Sequence, residues 1–173
     1  MLANRVAAVV VALVVCGAAA AQPAPSADAS PSIVLGAPGR APISLSAADL
    51  AQLPTEQVAT SFRTEHGTRS ASFTGPLLWA VLTKAGAIDP AKPRDAVRQA
   101  LLVAGSDGYV ALIGMGEIAP DFEGKQVILA MSADGKPLEA GHLRLVLPAD
   151  KRGGRSVRDV ARIDVVSPEP QRP

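Results

Sequence analysis

From residue 100 to 166 mostly apolar stretches of five to seven residues alternate with short segments that carry Gly, Pro or Asp-Gly. Runs that short suit strands and are too brief for ordinary helices of about 11–12 residues. Ala100 to Ala104, Tyr109 to Ile113, Val127 to Met131, Leu143 to Leu147 and Val160 to Val166 are therefore read as strands. Asp107-Gly108 and Asp134-Gly135 supply hairpin turns, because Gly adopts positive φ without strain. Upstream, Glu56 to Phe73 reads as two strands, with Val58, Thr60 and Phe62 alternating before a turn at Glu65-His66-Gly67.

Two helices stand against this background. Ser46 is placed to cap a short helix that Pro54 stops. Pro76 to Ala85 is the clearer one, with Pro76 in the first turn and Gly86 at C′. Leu77, Leu78, Val81, Leu82 and Ala85 form its apolar face, and Trp79 marks the edge. Mostly strands with two or three short helices makes an α+β domain.

The N-terminus is set apart. Arg5 precedes sixteen uncharged residues, and Ala19-Ala20-Ala21 stands before Gln22-Pro23. That pattern predicts a secretory signal peptide over 1–21, hence a periplasmic or secreted protein with no stable membrane insertion after cleavage. An uncleaved anchor is the alternative. The lone arginine is not the pair of a twin-arginine signal, which predicts export of an unfolded chain. Residues 22–32 are Pro/Ala/Ser-rich and read as a flexible linker, 33–166 as the globular domain, and 167–173 as a disordered tail.

Charge and composition remove several functions. Lys+Arg number 17 and Asp+Glu 16, and aromatics make up 3%, so neither a basic nucleic-acid surface nor a stacking platform for single strands is expected. The one cysteine, Cys16, lies in the signal segment, so thiol catalysis, disulfides and thiolate metal sites are absent from the mature chain. Gly105-Ser-Asp-Gly108 has the wrong spacing for a nucleophile elbow, and Gly114-Met-Gly116 is not a dinucleotide fingerprint. His66 and His142 stand far apart, without ligand spacing around either.

What remains is basic. Arg144 to Arg162 carries six bases against Asp150 and Asp159, a local balance of +4. Guanidinium forks suit phosphate or carboxylate oxygens, and Ser156 adds a hydroxyl donor, so Arg155, Ser156 and Arg158 are candidate anion contacts. The alternative is a solvated loop whose arginines pair with Asp150, Asp159 and Asp164.

Several stretches in order resemble the molybdopterin-binding domain of the sulfite oxidase-like oxidoreductases. They include Ile43 to Pro54, Phe73 to Leu82, Gly105 to Tyr109, Val127 to Ala130, Asp134 to Leu138, Leu143 to Asp150, Gly154 to Arg158 and Ile163 to Val165. The resemblance implies that fold, with mixed sheets and a few short helices, and molybdopterin as the candidate cofactor. Arg155-Ser156-Val157-Arg158 matches the family's basic segment on the pterin phosphate. The segment that carries the family's molybdenum-ligating cysteine matches Phe62 to Arg69, and no cysteine stands there. The phosphate side is thus expected to survive and the metal ligand to be lost. In such enzymes the cofactor is inserted before export, so a Sec-like signal points the same way.

The expected function is a binding module for a small anionic or pterin-like ligand, or for a partner protein. Arg155, Ser156 and Arg158 would hold the anion, Arg144, Arg63 and Arg69 would assist, and His66 and Tyr109 would line the cleft. Charge reversal at Arg155 and Arg158 should then abolish binding and leave thermal stability nearly unchanged. The alternatives are a molybdopterin-dependent oxidoreductase with atypical metal ligation and a purely structural or interaction domain.

Overall fold

The first and last strands of the domain lie side by side, and this pairing organises everything else. In the computed structural model, which describes residues 32–64, 67–139 and 142–167 (the side chains of 62 and 64 excepted), β1 (Ser32–Gly36) runs antiparallel to β2 (Ile43–Ser46). Next come α1 (Ala47–Ala51), the long hairpin β3 (Thr55–Thr64) and β4 (Gly67–Pro76), α2 (Leu78–Lys84) and α3 (Pro93–Ala96). Then follow β5 (Ala100–Gly105), β6 (Val110–Gly114), α4 (Met115–Ile118), β7 (Ile128–Ala130), β8 (Ser132–Ala133) and β9 (Lys136–Pro137). The chain closes with β10 (Arg144–Val146), a 3-10 turn at Gly153–Arg155, and β11 (Val160–Val166).

These strands make three sheets, ordered β2-β1-β11-β5-β6, β3-β4-β8-β9 and β10-β7. Only β1 and β11 pair in parallel, so the five-stranded sheet is mixed. The α+β expectation holds, with helices of at most seven residues among those described.

The small sheet β7–β10 is a ribbon between two cores. Leu129 and Leu145 face each other across it and join the larger core with Leu50, Leu78, Leu82, Leu101, Ile113 and Ile163, all fully buried. Ile128, Ala130 and Val146 point the other way, into a smaller core with Val58 and Phe73 of the hairpin. Alternation along a strand dictates this split. Arg144, paired with Ala130, therefore lies at the end of the smaller-core face. The hairpin approaches β7 so closely that a Cβ on Gly75 would come within 2.0 Å of the Leu129 carbonyl oxygen. Only glycine permits that contact.

Local signals mostly hold. Ser46 caps α1 in a full capping box: the Asp49 amide donates to Ser46 Oγ, and the Ser46 amide donates to Asp49 Oδ2. Gly86 follows α2 with φ +61°, as its C′ position requires. Leu78, Val81 and Leu82 are fully buried, and Trp79 packs at the margin of the core. One boundary needs correction. Pro76 ends β4 rather than opening the helix, because Leu77 bridges Ile128 and the Leu78 amide donates to the Val127 carbonyl. Those ties hold the chain extended through Leu77. The Glu65-His66 turn, the signal segment and nearly all of the linker and tail lie outside the described residues.

Candidate functional site

The basic segment leaves β10 at Leu147, crosses the 3-10 turn and enters β11, and three ties fix its path. The first is Arg155. Its Nε and Nη2 donate to Asp150 Oδ2 and Oδ1 at 3.0 and 2.7 Å, and Nη1 donates to both Glu117 oxygens at 3.1 and 2.9 Å. Asp150 is held fork to fork, the strongest form of such pairing, while Glu117 turns both oxygens to the single nitrogen Nη1. Asp150 first, with Glu117 added against the cost of burial, holds the guanidinium above its ordinary basicity. Burial pushes the Glu117 carboxyl up, but Arg155, the Gly114 amide and Lys125 together hold it below the usual value. Arg155 thus clamps the basic loop to α4. An incoming anion would have to displace two carboxylates from it. The expectation that Arg155 contacts the ligand, and that reversing its charge leaves stability untouched, does not fit this pairing.

The second tie is Ser156. Its hydroxyl donates to the Leu145 carbonyl at 3.0 Å and accepts from Arg144 Nε at 3.0 Å. The Arg144 guanidinium lies 5.1 Å from the centroid of the Phe73 ring, a cation–π distance. Burial first, and the nearby Arg158 charge next, lower the Arg144 affinity for its proton, with Asp159 acting in the other direction. Arg158 itself is exposed, and no ion pair among the described residues engages it. Arg144, resting on an aromatic ring and a serine, thus feels the positive charge of Arg158, which is open to solvent. An anion between them would relieve their repulsion.

The third tie is Tyr109. Half-exposed, it donates its hydroxyl to the Gly154 carbonyl, strapping the 3-10 turn to the β5–β6 hairpin. Beside Arg158, His142 Nδ1 and Asp159 Oδ1 pair, and the Asp159 hydrogen bond raises the imidazole above its ordinary value.

The remaining predicted residues are dispersed. Position 69 stands opposite 62 and position 63 opposite 68 in the hairpin register. Alternation then puts Arg69 on the same face as Phe73 and Arg63 on the opposite face. His66 lies outside the described residues. Sequence reasoning assigned no role to Phe73 or Glu117. Phe73 stood in the hairpin's alternating run, and Glu117 stood three residues after Gly114 in the spacing of a capping box.

The donor set tests what the site could hold. Among the described residues there is no cysteine and no group of three or more His, Cys, Asp or Glu that could hold a metal ion. Arg144 and Arg158 suit an oxyanion, whereas the expected hydroxyl donor Ser156 already gives its one proton to the Leu145 carbonyl. The described residues therefore fit the phosphate end of a pterin cofactor and do not fit its metal.

The model of the family described as Oxidoreductase molybdopterin binding domain matches residues 32–173. No curated protein matches the chain. Among solved structures, the sulfane dehydrogenase SoxCD from Paracoccus pantotrophus superposes with a TM-score of 0.61 at 17% identity. The match covers 78% of this chain and 38% of that one, so this chain spans well under half of its length. A likeness at that identity bears on the fold alone.

Proposed function

The chain belongs to the oxidoreductase molybdopterin-binding domain family, and from that premise we propose that it holds a phosphate-bearing, pterin-like ligand without ligating metal through its own side chains. Its fold is the sulfite oxidase-like molybdopterin-binding fold. The observation that carries the reading is the pair Arg144–Arg158, the first stacked on Phe73 and fixed by Ser156. Arg144, held in place by the Ser156 hydroxyl, gives the oxyanion a preorganised partner, and Arg158 adds charge from the solvent side. Tyr109 orders the loop beneath them. In this reading the protein works in the periplasm or outside the cell, as its N-terminal segment suggests.

The test starts with protein purified from its exported compartment without reconstitution. Molybdenum is quantified by elemental analysis, and acid-released pterin by fluorescence. Pterin without metal, lost in Arg158→Glu at unchanged melting temperature, is the expected result. Absence of both would overturn the reading. Near-stoichiometric molybdenum with pterin would favour a second reading, an oxidoreductase whose metal takes an oxygen ligand or a ligand from another subunit. Family membership is what keeps that reading open.

A further inference from the structure

The face of the hairpin turned away from Phe73 carries a feature that the proposed ligand site does not use. Arg63 of β3 stands between two neighbours. Thr68 of β4 pairs with it on one side in antiparallel register. Arg152 bridges it in parallel on the other, with the Arg63 amide donating to the Lys151 carbonyl at 3.2 Å. Residues paired across adjacent strands project on one face with their Cβ atoms about 5 Å apart. The register thus sets two arginines side by side on an exposed surface. Like charges directly opposite in a sheet are destabilising.

An open groove of about 560 Å³ lies over this row, lined by Ser61, Arg63, Thr68, Lys151 and Arg152. Three cations and two hydroxyls surround it, and no carboxylate among the described residues contributes. None of the three cationic side chains takes part in an ion pair among the described residues. This differs from Arg155 and Arg162, whose guanidinium groups are saturated by carboxylates. Among the described residues the lining also has no aromatic or aliphatic side chain to accept a planar ring. Guanidinium forks with hydroxyl donors match tetrahedral oxygens, and the absence of an apolar wall disfavours a base or pterin.

We infer that this groove is a second anion site, taking a small polyvalent oxyanion of the phosphate or sulfate class held between Arg63 and Arg152. It goes beyond the proposed function, because the hairpin residues that line it, Ser61, Arg63 and Thr68, lie on the other face of the hairpin from Phe73.

The experiment uses pyrophosphate and sulfate as probes, by calorimetry and thermal melting of the full chain at constant ionic strength. Saturable binding with one ion per chain is expected, tighter for pyrophosphate than for sulfate. Arg63→Gln and Arg152→Gln should each weaken pyrophosphate at least tenfold, whereas Lys92→Gln, an exposed cation elsewhere, should not. In low salt without probe, both groove variants should melt a few degrees higher, because the facing charges are gone. Equal melting temperatures for wild type in pyrophosphate, sulfate and chloride at matched ionic strength would overturn the site. So would pyrophosphate affinity that survives both groove substitutions. If that surviving affinity vanished in Arg158→Gln, the anion would belong to the Arg144–Arg158 pair, sparing the proposed function while removing this site.

Discussion

Replacing Arg155 by Met should unmake the clamp on the basic loop while keeping the length of the side chain. Four hydrogen bonds to two carboxylates are lost, and Glu117 and Asp150 are left facing each other. An exposed ion pair contributes about 0.2–1 kcal/mol, and breaking a fully buried one costs about 3–5 kcal/mol. Side-chain exposures of 34% for Arg155, 24% for Glu117 and 22% for Asp150 put this cluster between those limits. A loss of about 2 kcal/mol follows, or about 8 °C in Tm for a domain of this size. The acid side supplies a second readout. Glu117 titrates lower in the fold than its ordinary value of 4.5. Its contribution is therefore present above that value and fades as pH falls through the lower folded one. Melts of wild type and Arg155→Met from pH 7 to pH 3 should converge as Glu117 protonates. A variant melting within 1 °C of wild type at pH 7, or a gap that stays constant into acid, would refute the clamp.

Other perturbations probe neighbouring parts. Gly75→Ala forces a Cβ into the Leu129 carbonyl, so a loss of about 3 kcal/mol or failure to fold is expected in a urea titration. Tyr109→Phe removes one exposed hydrogen bond to Gly154, costing about 0.5–1 kcal/mol. Its larger effect should be faster amide exchange at Gly153–Arg155, and unchanged exchange there would discount the strap. His142 should titrate above 6.5 by NMR and fall back in Asp159→Asn, because the carboxylate partner raises it. The stability it contributes is full below 6.5 and is lost as pH rises through the raised folded value. A midpoint at or below 6.5 in wild type would remove the pair.

Five strands from Ala100 onward were legible because each is a mostly apolar stretch set off by turn residues, while the two-residue β8 and β9 were not, and α1 was legible because Ser46 and Asp49 write a capping box. Strands β1 and β2 were not singled out in advance. Each has only four or five residues, and β2 is mostly exposed, so pairing in the sheet rather than local pattern makes them strands. Likewise α3 and α4 are single turns below the length that helical periodicity can register. Pro76 misled because its preference for a first helical turn was overridden by two long-range ties to β7. Local preference is a weak prior wherever tertiary contacts compete.

The basic segment shows the same limit at the level of function. Its local balance of +4 counted only nearby acids. Glu117, 38 residues before Arg155 in sequence, enters the loop through the fold and, with Asp150, neutralises the arginine at its centre. The resemblance to the family's basic segment put Arg155 and Arg158 together on the anion, yet one is a brace and the other is exposed. Neutralising the centre leaves Arg158, Lys151 and Arg152 outside any ion pair among the described residues. Arg158 beside Arg144 stands at one end, and Lys151 with Arg152 beside Arg63 at the other. Anion chemistry is thus divided by the clamp rather than gathered on it. A variant lacking the clamp should therefore weaken both ends together through disorder of the loop, whereas a substitution at either end should weaken that end alone.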